Sequence, residues 1–402
     1  MRNGERFLWE FVPQFLSDGD AIKSATSLNI KLSETFMTIK KRGLFDLFLD
    51  LDAPPCRVVF PDGHDPRVVE AARRAERIGL IQPILLGPLD EIAETSAALG
   101  FGLEGIVVID PEDSDRFDDC AQDFAEAHHI PAHSARAMSA IPFYFAAMML
   151  DQGQADAMVA GCICSNQEML MAIELAIGVR PKTRLPTSFA LLEVPGSASQ
   201  EPRLLMLSDC LVHPQPTSEE LAEITLSTAA LAEAILGWEP RVAMLSHSTH
   251  AHPLEVRCEH VAHALDEVRR RAPGLRVEGE FQLDVALGVD AAQRKLSPQK
   301  MRRDQVAGQA NILIFPDLNS SDIAIKITQQ LSSATVCGPI LHGFKYPIGL
   351  VSRAAQTRDI LGTIALTAAY AHAHIQLFPK LVHPMGFELN LGDPDASSGV
   401  FA

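Results

Sequence analysis

No run of apolar residues approaches the roughly 18 that a membrane-spanning helix needs, and no basic segment leads into a short apolar stretch in the first residues. Both absences predict a soluble, cytoplasmic chain without a membrane partner. Cysteine is sparse: seven residues, an odd number, scattered with no CxxC pair. That excludes a disulfide framework and a structural zinc, and reduced thiols are expected. Positive charge is also scarce, with 34 Lys and Arg against 51 Asp and Glu and a formal net charge of −17. Such a surface repels a nucleic-acid backbone, and any small anionic ligand requires a local positive pocket. P-loop, HExxH and GxSxG motifs are all missing.

What the chain does have is 402 residues, 47% of them apolar, enough for one large or two medium cores. From about Pro55 onward, short β-branched runs alternate with turns and amphipathic stretches, the rhythm of parallel strands with crossover helices. Strands are predicted at residues 57–60, 83–86, 106–109, 157–160, 188–194, 204–207, 242–245 and 312–315. Most are apolar on both faces, so they belong to a covered sheet and the fold class is α/β, doubly wound. Thr217 is positioned to cap a helix through a T-x-x-E box with Glu220. Leu221, Ile224, Thr228, Leu231 and Ile235 line its core face. Residues 195–202 (PGSASQEP) read as a surface hairpin. Residues 1–36 do not continue the rhythm, and Met37 offers an alternative start.

Several motifs carry less than they first suggest. GFGLEG at 100–105 satisfies G-x-G-x-x-G but follows a helix and leads into a strand, the reverse of a dinucleotide fingerprint. SHSTHAH at 246–252 places His247, His250 and His252 together without a carboxylate or cysteine at matching spacing, so a substrate-facing loop is expected rather than a metal site. Cys162 and Cys164 flank Ile163 at a strand end, where alternation predicts a shared face. The reading there is core packing, not a nucleophile. LIFPDLNSSD at 313–322 is a strand opening into a polar turn, with Asn319 and Ser320, suited to an anion.

RVVFPDGHDPRVVEAA (57–72), DAMVAG (156–161), RVAMLSHST (241–249), EGEFQLDVA (278–286), LIFPDLNSSD, GPILHG (338–343) and LVSRAAQTRDI (350–360) occur in that order. As a set they resemble the phosphate acetyltransferase and butyryltransferase family. The resemblance implies two α/β domains with the active site in the cleft between them: a first domain of residues 52–187 with 339–380, and a second of 188–338. Residues 1–51 are then an extension and 381–402 a tail. It further implies a homodimer and reversible acyl transfer between coenzyme A and phosphate, giving acyl phosphate, with coenzyme A as substrate and no cofactor or metal.

The family's catalytic serine, arginine and aspartate match Ser352, Arg353 and Asp359. In the implied chemistry Arg353 binds phosphate, Asp359 takes the thiol proton, and Ser352 donates to the oxygen that gains charge. An ordinary aspartate is a weak base for a thiol, so a closed, dry cleft is expected to raise its proton affinity. Read from the residues alone, Arg353 and Asp359 are instead a surface ion pair at a helix start. Ser165, Asn166, Ser246, Thr249, Asn319 and Ser320 are expected around the substrate. Two coenzyme A arginines of the family have no counterpart, their places falling near Ala125 and Met171, and the usual cysteine after the Ser-Arg pair is Ala355. Arg184, with Arg180 and Lys182 in VRPKTR (179–184), is a candidate replacement. A non-catalytic acyl-CoA sensor and a dehydrogenase on a related fold are the competing readings.

Overall fold

A computed structural model describes residues 54–112, 117–196, 202–249 and 258–377. The extension (1–51), the tail (381–402), His250 and His252 fall outside these. Among the described residues eleven strands form one sheet: β1 Cys56–Phe60, β2 Ile81–Leu86, β3 Val107–Ile109, β4 Ala157–Ala160, β5 Thr187–Val194, β6 Arg203–Ser208, β7 Arg241–Leu245, β8 Arg276–Phe281, β9 Ile312–Ile314, β10 Thr335–His342 and β11 Ile348–Leu350. Their order is β3-β2-β1-β4-β11-β10-β5-β6-β9-β7-β8. All eight predicted strands are present, and the α/β class holds.

The direction of pairing adds what hydrophobicity did not predict. Parallel pairs join β3, β2, β1, β4 and β11 at one end and β6, β9, β7 and β8 at the other. Between them β11–β10, β10–β5 and β5–β6 are antiparallel. The β5–β6 ladder ends at Val194↔Arg203, which fits the hairpin expected from PGSASQEP.

Local signals explain the helices. Asp65 caps Pro66–Arg77 by accepting from the Arg67 N–H, with Pro66 in the first turn and arginines at the carboxyl end. Val68, Val69, Ala71, Ala72 and Ala75 line its buried face. The capping box of Thr217 and Glu220 opens Ser218–Leu236, and Gly237, at φ 60°, closes it. The predicted stripe from Leu221 to Ile235 is buried. Thr217→Ala should therefore cost about 1 kcal/mol, read as a lower urea midpoint with an unchanged slope. An unchanged midpoint would show that the cap adds nothing.

The last helix, Thr357–Leu377, divides its apolar faces between two cores. Ile360, Ile364, Ala368 and Ala371 pack with Val58, Phe60 and Val68 of the first parallel half. Ala365, Leu366, Ala369 and Tyr370 pack with Leu221, Ile235 and Val242 of the second. Among the described residues no helix is long and apolar enough to cross a membrane.

Candidate active site

Three neighbouring parallel strands, β1, β4 and β11, end side by side, and the crevice beyond such carboxyl ends is where open α/β sheets bind ligands. The loops that leave them are tied together. Buried Asp62, after β1, accepts from the Gly161 N–H at 2.9 Å and the Cys162 N–H at 2.8 Å, after β4. Burial pushes the Asp62 carboxyl up, and these two N–H groups oppose the shift. The Val351 N–H, after β11, donates to Ala160 at 2.9 Å. Gly161 permits this approach: its φ is +111°, and a Cβ there would lie 2.6 Å from the Val351 carbonyl oxygen.

The loop after β11 carries the Ser-Arg pair. Ser352 turns the chain: its Oγ accepts from Ala354 N–H at 3.2 Å and its carbonyl from Ala355 N–H at 2.9 Å. Ser352 and Arg353 are exposed. The Ser165 hydroxyl and amide, and after them the charge of Arg353, hold the Glu168 carboxyl below the usual range. Asp359, by contrast, is only 5% exposed. One of its oxygens accepts from the Gln356 N–H at 3.0 Å and the other from the Val336 N–H at 3.3 Å. The guanidinium facing it is that of Arg358, at 4.0 Å. The surface ion pair with Arg353 is therefore absent among the described residues, and Asp359 joins the first turn of the last helix to the start of β10.

The remaining candidates stand on loops after other strands. Ser165, after β4, caps Asn166–Ala176 in a reciprocal box with Glu168, the carboxyl that feels the charge of Arg353. Ser246, Thr249, Asn319 and Ser320 follow β7 and β9, which run opposite to β4 and β11. Thr249 Oγ1 accepts from the Gln282 N–H at 3.1 Å, and Lys295 Nζ donates to Gln282 Oε1 at 2.9 Å. Ser246 Oγ accepts from the Ser248 N–H at 3.4 Å. Asn319 is exposed, whereas the Ser320 amide donates to Asp317 Oδ1 at 2.8 Å within the cap of Leu318–Leu331.

In VRPKTR, Arg180 is buried beside Tyr370, which removes it as a surface phosphate ligand. Arg184 is exposed, 3.9 Å from Glu223, which pairs more closely with Arg271 at 2.7 Å. The shared face expected of Cys162 and Cys164 is also corrected. The chain bends at Gly161, so Cys162 is buried and Cys164 exposed. Burial, then the charge of Asp62, pushes the Cys162 thiol up to about 12, which fits packing and not nucleophilic attack. His247 is exposed, and among the described residues no group of three His, Cys, Asp or Glu is placed to hold a metal ion.

Sequence reasoning missed Arg67. Its side chain donates to Asp65 through Nε at 3.0 Å and Nη2 at 2.7 Å, to the carbonyls of Arg353 and Ala355 through Nη1 at 2.7 and 2.9 Å, and to Cys162 O through Nη2 at 3.4 Å. The only sequence sign was an arginine one place after an Asp-Pro helix start.

The sequence profile of the family described as Phosphate acetyl/butaryl transferase matches residues 47–368. The phosphate acetyltransferase of Thermoanaerobacterium thermosaccharolyticum is 36% identical over 318 residues, 78% of this chain and 95% of that protein. The phosphate acetyltransferase of Clostridium acetobutylicum is 32% identical over 322 residues, 79% of this chain and 95% of that protein. Among solved structures, a phosphotransacetylase from Streptococcus pyogenes superposes with a TM-score of 0.70 at 32% identity, covering 82% of this chain and 98% of that one.

Proposed function

The chain belongs to the phosphate acetyl/butaryl transferase family, and from that premise we propose that it transfers a short acyl group reversibly between coenzyme A and inorganic phosphate. The observation that carries this reading is the exposed guanidinium of Arg353, next to the exposed hydroxyl of Ser352, on a loop anchored at the carboxyl ends of three parallel strands. In an acidic chain this supplies the local positive charge that phosphate requires, and the planar fork of arginine suits two of its oxygens.

In the thioester-forming direction Arg353 holds the phosphoryl group of the acyl phosphate. The thiol of coenzyme A loses its proton to Asp359, and the thiolate sulfur attacks the acyl carbon. The bond from that carbon to the bridging oxygen breaks, and phosphate leaves with the electron pair. Ser352 donates to the oxygen on which charge gathers, a contribution that is large where water is excluded. Ser165, the first turn at Asn166, and Arg184 are assigned to substrate binding, as are Ser246, Thr249, Asn319 and Ser320 after β7 and β9. Coenzyme A is a substrate, and no cofactor is assigned. The working form is a cytoplasmic homodimer. The first domain spans 52–187 with 339–380 and the second 188–338.

The role of Asp359 has a direct test. Two backbone N–H groups already occupy its oxygens, so Asp359→Asn removes a proton acceptor and also turns an amide N–H₂ toward a donor. A stability loss of about 1–3 kcal/mol is expected from that mismatch. As a base, Asp359 should also give kcat/KM for coenzyme A an acidic limb that Asp359→Asn abolishes, with turnover at least about 100-fold lower. A variant that is merely less stable and keeps the wild-type pH profile would remove the base assignment.

A further inference from the structure

We propose that Arg67, held by Asp65, is the positioning residue for the Ser352–Arg353 loop, a role that rests on the acyl-transfer reading of that loop. Arginine has five N–H donors and no acceptor, and here each donor has its own acceptor. Nε and one Nη2 hydrogen engage the two oxygens of Asp65, both Nη1 hydrogens engage the carbonyls of Arg353 and Ala355, and the second Nη2 hydrogen meets Cys162 O. One planar group thus joins the loops that follow β1, β4 and β11.

The anchoring of Arg67 is itself rigid. It stands in the first turn of Pro66–Arg77, where its own N–H donates to Asp65 Oδ1 at 2.9 Å. Asp65 therefore caps the helix and orients the guanidinium with the same carboxylate. The side chain of Arg67 retains 32% exposure and that of Asp65 12%, so the Asp65 pair by itself contributes little stability in water. The effect of the cluster is geometric: it fixes the carbonyl of Arg353, and with it the backbone from which the phosphate-binding guanidinium projects. A displacement of about 1 Å in such a group is enough to cost on the order of 100-fold in rate.

Lysine at this position keeps the charge but presents all its donors from one atom, so it cannot reach Asp65 and three carbonyls together. The amides of Ala354 and Ala355 report on the loop because they donate to Ser352, and that of Gln356 because it donates to Asp359. With Arg67→Lys in the full chain, hydrogen exchange at these three amides should accelerate at least about tenfold. The amides of β1, β4 and the last helix should stay within about twofold. Turnover in acyl transfer should fall at least about tenfold, with the KM for coenzyme A little changed. Asp65→Asn, which keeps an oxygen for the helix cap but removes the ion pair, should shift both readouts the same way by less.

The proposal is overturned if Arg67→Lys leaves loop exchange within about twofold of wild type, whatever turnover does, because Arg67 then acts elsewhere. It is overturned equally if exchange rises uniformly through the fold, or if the loop loosens while turnover is kept. Faster loop exchange in a chain whose wild type shows no acyl transfer would uphold the clamp and remove the acyltransferase reading instead.

Discussion

Replacing Arg353 with alanine should lower kcat for thioester formation from acyl phosphate by about 100- to 1,000-fold, the range seen when one preorganised stabilising group is removed from a transition state. Arg353 is exposed, and the hydrogen bonds that shape its loop involve its carbonyl rather than its guanidinium. The variant should therefore fold normally, with a thermal midpoint within a few degrees of wild type. Arg353→Lys should recover part of the loss, since it restores charge without the bidentate fork. Steady-state kinetics in both directions would check this, because a phosphate ligand must matter equally to phosphate as substrate and as leaving group. Undiminished turnover in Arg353→Ala would exclude it from the phosphate site.

The largest stability effect is expected far from that loop, at Asp209. This carboxylate is only 4% exposed, and one oxygen accepts from the Ser188 and Leu211 N–H groups, both at 3.1 Å, and from the Ser188 hydroxyl. The other accepts from Val212 N–H at 3.1 Å and His213 N–H at 2.8 Å. Asp209 so joins the start of β5 to the turn that follows β6, in the antiparallel centre of the sheet. Alanine would orphan these donors together, at about 1–3 kcal/mol for each that water cannot reach. A loss above about 4 kcal/mol is expected, a large part of the 5–15 kcal/mol that ordinarily separates folded from unfolded chains. Asp209→Asn, which keeps one acceptor oxygen, should cost less. Denaturant midpoints measure both, and a loss below about 1 kcal/mol for alanine would mean that the carboxylate is not an anchor.

These expectations also mark where the sequence was readable. β4 was legible to the residue because AMVA is a fully apolar run bounded by Asp156 and Gly161. The capping box at Thr217 was legible because both partners are side chains at fixed spacing. β10 was read only as the motif GPILHG, since Gly338 and Pro339 interrupt it and proline argues against an interior strand. The sheet accommodates them with a register irregularity between Cys337 and Ile340. β8 was hidden by the charged residues of RVEGEF, of which Glu280 is buried. Of the antiparallel centre only the β5–β6 hairpin was legible; the β10 pairings were not, because burial on both faces points as well to parallel strands. β5 and β10 are antiparallel and still covered by helices.

The site divides in the same manner. Ser352 and Arg353 could be proposed from the sequence because a resemblance lives in side-chain identities. Arg67 could not, because three of its partners are backbone carbonyls, in loops 95 and 286 or more positions along the chain. A carbonyl has no sequence signature, so only the pairing of β1, β4 and β11 reveals the cluster. That the loops carrying Ser246, Thr249, Asn319 and Ser320 follow strands running opposite to β4 and β11 was hidden for a related reason: strand direction is not written in composition.

Whether the chain is an acyltransferase is decided by mixing the purified full chain with coenzyme A and acetyl, propionyl or butyryl phosphate and following thioester and released phosphate together. Equal amounts of the two products are expected from at least one of these acyl phosphates, with the reaction reversing when excess phosphate is added. Tight binding of acetyl-CoA without either product would contradict that expectation and leave a chain that senses acyl-CoA rather than making it.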